Sequence, residues 1–119
     1  MNEQKVAGLL GLALRSGKVS LGAQQAVDAV RHGKAAAVLM DPGASENTIK
    51  RLRDSCQHHQ VLLIETSVGF LDKATGKQGR KAAALLHSDI TKEIIRLTAV
   101  QDDEQTGNKA GVLSTNGKA

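Results

Sequence analysis

Three short apolar runs, at 36–40, 61–64 and 82–86, alternate with stretches of helical hydrophobic period, and that alternation limits this chain to very few architectures. Ala36-Ala37-Val38-Leu39-Met40 is continuous and is stopped by Asp41-Pro42-Gly43, the pattern of a strand covered on both faces. Val61-Leu62-Leu63-Ile64 reads as a second buried strand and Ala82–Leu86 as a third, while Lys18-Val19-Ser20-Leu21 is a short extended run. Before them, Val6, Leu9, Leu10, Ala13 and Leu14 form one apolar stripe over 2–15, with Gly17 placed to end that helix. Gly22 opens a second helix, about 23–32, with Ala26, Val27 and Val30 inward and Gly33 at its end. Ser45 or Asn47 caps a third, which carries Ile49, Leu52 and Cys56 on one face and Lys50, Arg51 and Arg53 on a solvated one. A fourth, short helix covers about 67–75 and stops at Gly76. The last begins at Ser88 or Asp89 and aligns Ile90, Ile94 and Leu97. The expected class is α/β, with a parallel or mixed sheet and helices on both faces.

A length of 119 residues fits one domain. The composition changes after Leu97, so a folded domain is expected over 1–97 and a disordered C-terminal tail over 98–119. Residues 1–97 hold 14 basic against nine acidic residues, which places the net charge of +4 on the domain and not on the tail. No apolar run approaches the roughly 18–20 residues of a membrane span, and MNEQKVAGLL lacks the features of a secretory signal. No membrane partner and a cytoplasmic location are therefore expected.

One Phe and no Trp or Tyr exclude most stacking platforms for single strands, including a sheet that displays two or three aromatics. A nucleic-acid binder of this composition must use backbone amides, Lys, Arg and shape. Catalytic signatures are absent: there is no Gly-x-Ser-x-Gly elbow, no phosphate loop and no Gly-x-Gly-x-x-Gly fingerprint. Cys56, the single cysteine, excludes a disulfide framework and falls on the apolar face of the third helix, where it acts as a small hydrophobe. His58 and His59 read as a solvated helix end, since zinc needs three or four ligands and no second cluster supplies them. Asp102-Asp103-Glu104 reads as solvating. Neither catalysis, a cofactor nor a metal is expected.

Two glycine-punctuated segments carry more information. Gly22 lies between a strand and a helix, whose N-terminus presents unpaired N–H groups and a positive dipole end. Gln24 and Gln25 in that first turn each carry a donor and an acceptor suited to base edges, unless they are ordinary exposed helix residues. Gly76-Lys77-Gln78-Gly79-Arg80-Lys81 offers three cations and two flexible residues just before a strand, an arrangement that suits phosphate contacts as well as a plain solvated loop.

Taken in order, the motifs resemble a known family. Leu9-Leu10-Gly11-Leu12-Ala13-Leu14-Arg15-Ser16-Gly17-Lys18-Val19-Ser20-Leu21-Gly22 is similar to the opening signature of the bacterial YlxQ family. Ala44-Ser45-Glu46-Asn47-Thr48 resembles its entry to the third helix, and Leu71-Asp72-Lys73-Ala74-Thr75-Gly76-Lys77 its Leu-Gly-x-Ala-x-Gly-Lys stretch. The resemblance spans about residues 3–97. It implies the ribosomal protein L-seven-Ae and L-thirty-e superfamily: a three-layer α/β/α sandwich with a four-stranded mixed sheet that binds RNA, typically kink-turns, without catalysis. There the RNA is held by Gly-x-Asn-Glu-x-x-Lys at the turn into helix two and by the loop before the last strand. Gly22 matches the glycine, Gln24 and Gln25 replace the asparagine and glutamate, and Asp28 replaces the lysine. A carboxylate at that place turns a charge-assisted bond into repulsion. His32 stands where some relatives have arginine, Asp72 where glycine is usual, and Lys77, Gly79 and Arg80 fall in the second loop.

The resulting expectation is a monomeric RNA-binding protein, with ribosomal or other structured RNA, or the ribosome, as partner. Gly22, Gln24 and Gln25 approach bases, and Lys18, Lys34, Lys77, Arg80 and Lys81 contact phosphates. The alternative is a protein-interaction module of the same fold that has lost the kink-turn site, a reading that Asp28 favours.

Overall fold

The computed structural model describes residues 1–106, with side-chain surroundings for residues 1–99. Among them the elements run α1 (Glu3–Arg15), β1 (Val19–Leu21), α2 (Ala23–Arg31), β2 (Ala35–Met40), α3 (Glu46–His59), β3 (Leu62–Glu65), α4 (Phe70–Thr75), β4 (Ala82–Leu86) and α5 (Asp89–Thr106). The four strands form one mixed sheet in the order β1-β4-β2-β3. β4 is antiparallel to both β1 and β2, and β2 is parallel to β3.

Alternate side chains of the two central strands enter opposite cores. Val38 and Met40 with Ala82 and Ala84 meet Ala26, Ala29 and Val30 of α2 and Leu52 and Cys56 of α3. Ala37 and Leu39 with Ala83 and Leu85 meet Val6 and Leu10 of α1, Phe70 and Leu71 of α4, and Ile94 of α5. The three-layer α/β/α sandwich and its four-stranded mixed sheet follow from this period-two partition. Small residues on both sides, Ala82 and Ala84 against Ala26 and Ala29, let α2 lie close to β4.

The predicted caps hold. Ser45 Oγ accepts from the Thr48 amide at 3.1 Å, and Ser88 Oγ from the Thr91 amide at the same distance. Gly17, Gly33 and Gly76 all have positive φ just past helices α1, α2 and α4. Three features differ from expectation, two of them boundaries. β3 is an outer strand, not a buried one: β2 pairs only one of its edges, and Leu62 remains 49% exposed. An apolar run of four cannot distinguish a central strand from an edge strand. α4 starts at Phe70, three residues later than expected, because Gly69 takes a left-handed conformation that ends the preceding turn. The boundary expected at 97 falls inside α5, whose helical backbone is described to Thr106; residues 107–119, the rest of the expected tail, lie outside the described residues.

Candidate nucleic-acid interface

Four connections meet at one end of the sheet. Leu21 of β1 pairs with Ala83 of β4, and Met40 of β2 pairs with both Ala82 and Glu65. The turns into α2 and α3, the β3–α4 turn and the loop 76–81 therefore share that end. Backbone bonds join them: the Gly22 amide donates to Ala82 O at 2.7 Å, Asp41 to Lys81 O at 2.9 Å, and Thr66 to Met40 O at 2.9 Å.

Gly22 is required at its position. Its φ of 116° and ψ of 154° lie in a region that is nearly confined to glycine, and a Cβ there would run into the Gln25 side chain, which folds back over it. Gly22 offers no side-chain cap, and α2 has no acid in its first turn, so the amides that open the helix stay available.

Two carboxylates organise this end. Asp41 is completely buried; its Oδ1 accepts from the Gly43 amide at 2.7 Å and its Oδ2 from the Gly69 amide at 2.9 Å. The Lys81 ammonium stands 4.0 Å from Oδ2. Asp41 thus ties the turn into α3, the β3–α4 turn and the start of β4 to one anchor. By sequence it is only the stop of a strand, although Asp-Pro-Gly is a recognised signal for a side chain that bonds its own turn. Asp72 of α4 performs the same service for the cationic loop, accepting from the Arg80 amide at 2.8 Å and the Gly79 amide at 3.0 Å. These two bonds, that of Arg80 foremost, hold its carboxyl below the ordinary carboxylate range, with Lys81 and Arg80 adding a smaller electrostatic pull. The residue that departs from the usual glycine is therefore what fixes the loop carrying Lys77, Arg80 and Lys81.

The predicted site residues separate into two groups. Gly22, Gln24, Gln25, Lys77, Gly79, Arg80 and Lys81 lie at the shared loop end. Lys18 and Lys34 do not: Lys18 O accepts from Leu86, the last residue of β4, and Lys34 immediately precedes the Ala35–Leu86 pair. The length of β4 puts them about 13 Å away along the sheet. His32 caps the C-terminus of α2, with Nδ1 2.8 Å from Asp28 O, and so also belongs to the far end. The direction of the strand and of the helix sets these three residues at the end of the sheet opposite the loop 76–81.

Asp28, midway along α2, is not an isolated negative charge. Its Oδ1 accepts from Arg31 Nη2 at 3.2 Å and from Gln24 Nε2 at 3.0 Å. Gln24 Oε1 in turn accepts from Arg51 Nη2 of α3 at 2.8 Å. By sequence Arg51 belongs to a solvated face, and only the packing of α3 beside α2 reveals its partner. Cys56 is buried as expected, and burial pushes its thiol pKa up, which opposes a nucleophilic role. Among the described residues no group of three or more His, Cys, Asp or Glu could hold a metal ion.

Comparison with known proteins shows the family. The model of the ribosomal protein L7Ae/L30e/S12e/Gadd45 family matches residues 4–95, and the chain belongs to that family. Two relatives called RNA-binding protein YlxQ are similar to it. That of Enterococcus faecium is 34% identical over 98 residues, covering 79% of this chain and 94% of the relative. That of Bacillus subtilis strain 168 is 32% identical over 90 residues, covering 75% and 90%. Among solved structures, a Bacillus halodurans protein of unknown function superposes with a TM-score of 0.73 at 28% identity, over 80% of this chain and 97% of the other. A 15.5 kD RNA binding protein of Giardia lamblia shares the fold, with a TM-score of 0.63 at 18% identity and 86% of each chain covered.

Proposed function

We propose that this protein is a non-catalytic RNA-binding protein that grips structured RNA between the turn into α2 and the loop 76–81. The observation that carries the reading is the 2.7 Å bond from the Gly22 amide to Ala82 O, which joins the amide-rich turn to the loop bearing Lys77, Arg80 and Lys81. Backbone donors and Gln side chains on one side face bases, and cations on the other take phosphates, in a chain with no aromatic platform. The names of its YlxQ relatives support the same reading. Gln24 and Asp28 replace the asparagine and lysine of the kink-turn pattern, so the preferred target differs from a standard kink-turn. The protein acts as a cytoplasmic monomer on ribosomal or other folded RNA.

Replacing Lys77, Arg80 and Lys81 together by Ala tests this. Affinity for RNA selected from a random pool should fall, and the slope of log K against log salt should flatten by roughly 0.7–0.9 for each phosphate that the variant no longer neutralises. An unchanged slope removes the loop from the interface. The second reading, a protein-interaction module, draws on Asp28 at the place of a lysine; partners that survive nuclease treatment of a lysate would favour it.

A further inference from the structure

Four side chains form a continuous polar chain across α2 and α3. Arg51 Nη2 donates to Gln24 Oε1 at 2.8 Å, Gln24 Nε2 donates to Asp28 Oδ1 at 3.0 Å, and Arg31 Nη2 donates to the same oxygen at 3.2 Å. Lys50 and Arg53, the other cations of this stretch of α3, are paired with Asp54 and Glu65, whereas the partner found for Arg51 among the described residues is the neutral Gln24 amide.

This arrangement fixes which way the Gln24 amide points. Turning it over would set its NH2 against the Arg51 guanidinium, donor against donor, and its oxygen against the Asp28 carboxylate, acceptor against acceptor. Both bonds involve a charged partner and are of the stronger kind. An amide has two donors and two acceptor sites, so Gln24 keeps one N–H and one oxygen lone pair free after both bonds are made. It stands two residues beyond Gly22, in the first turn of α2.

We infer that Arg51 and Asp28 are positioning residues that hold Gln24 in a single amide orientation, so that its remaining donor and acceptor read one RNA base edge. The inference rests on the RNA-binding reading above and adds to it a source of sequence preference. Asp28 then works on Gln24 instead of on phosphate, and Arg31 balances its charge. An amide that presents a donor and an acceptor together matches a base offering the complementary pair, as adenine does through N6 and N7.

The test has two arms. In the unliganded full-length protein, NMR of the Gln24 side-chain amide should show one Nε2 proton shifted by its bond to Asp28, and D28A should remove that shift while the backbone spectrum stays folded. In the second arm, an RNA enriched from a random pool by the wild-type protein is compared with its single-base variants. Wild type should discriminate at one nucleotide by about tenfold or more, the scale of a good amide–base pair. Q24A and R51A should each abolish discrimination at that same nucleotide, and the double variant should be no worse than either single one. R51K, which keeps one donor, should restore part of it. A Gln24 amide indifferent to D28A, retained discrimination in R51A, or multiplicative losses in the double variant would each overturn the inference and leave RNA binding intact. Failure of the wild type to enrich any RNA would instead remove the RNA reading, and this inference with it.

Discussion

The carboxylate of Asp72 accepts the backbone amide of Arg80 at 2.8 Å, so an acid in α4 fixes the course of a loop whose side chains are basic. A second bond, from the Gly79 amide at 3.0 Å, completes the clasp. Because Asp72 binds main chain, it leaves the ends of Lys77, Arg80 and Lys81 to other partners; among the described residues, the one ion pair they make is the 4.0 Å approach of Lys81 to Asp41.

Asp72→Asn should loosen this loop without unfolding the protein. One of two backbone amides loses its acceptor, and the cations then have to be ordered when RNA binds. The expected loss of RNA affinity is roughly two- to tenfold, the scale of ordering one or two groups. Unchanged affinity measured by filter binding would show that the clasp does not preorganise the loop.

The same clasp makes a prediction about acid. The folded-state pKa of Asp72 is depressed, so its contribution is fully present above the unfolded value of about 3.9 and is lost as pH falls through the lower folded value. Amide shifts of Gly79 and Arg80 should titrate together with a midpoint below about 3.9. A midpoint at or above that value contradicts the bonding described.

Asp41→Ala should be the most damaging single change at this end. It takes the acceptor from the part-buried amides of Gly43 and Gly69 and leaves the Lys81 ammonium without its neighbour. The cost should reach about 3 kcal/mol or more, measurable in urea unfolding. A loss below about 1 kcal/mol would mean that water replaces the carboxylate.

Gly22→Ala tests the hinge. Its φ of 116° becomes strained for any side chain, at about 1–3 kcal/mol, and Gln25 must move aside. A lower melting temperature is expected, together with weaker RNA binding, since the alanine disturbs the amides that open α2. A variant as stable as wild type would show that the turn can adopt another path.

For Cys56, burial predicts slow chemistry. Alkylation of the native protein should run on the order of 100-fold slower than in denaturant, through opening of the α2–α3 side of the core. With the folded pKa raised, stability is constant below the unfolded value of about 8.5 and declines as pH rises past it. Rapid native labelling would contradict this burial.

The sequence revealed the layers because Val38, Met40, Ala37 and Leu39 had to be covered on both faces, and the helix stripes supplied the cover. It could not reveal that β3 is an outer strand, because that depends on strand order. Gly22 and the 76–81 loop were legible as a pair through their glycines and charges. That Lys18, His32 and Lys34 stand at the opposite end is not legible in the sequence, because it depends on which end of a strand or helix each residue meets. Asp41, Asp72 and Arg51 owe their importance to partners 28, 8 and 27 residues away, which no local pattern records.

The sheet places its short strands outside: β1 has three residues and β3 four, flanking β2 with six and β4 with five. A neighbouring molecule that tried to extend the sheet would find only a few rungs at either margin, too few to hold it. The fold thus carries its own protection against edge-to-edge association of copies.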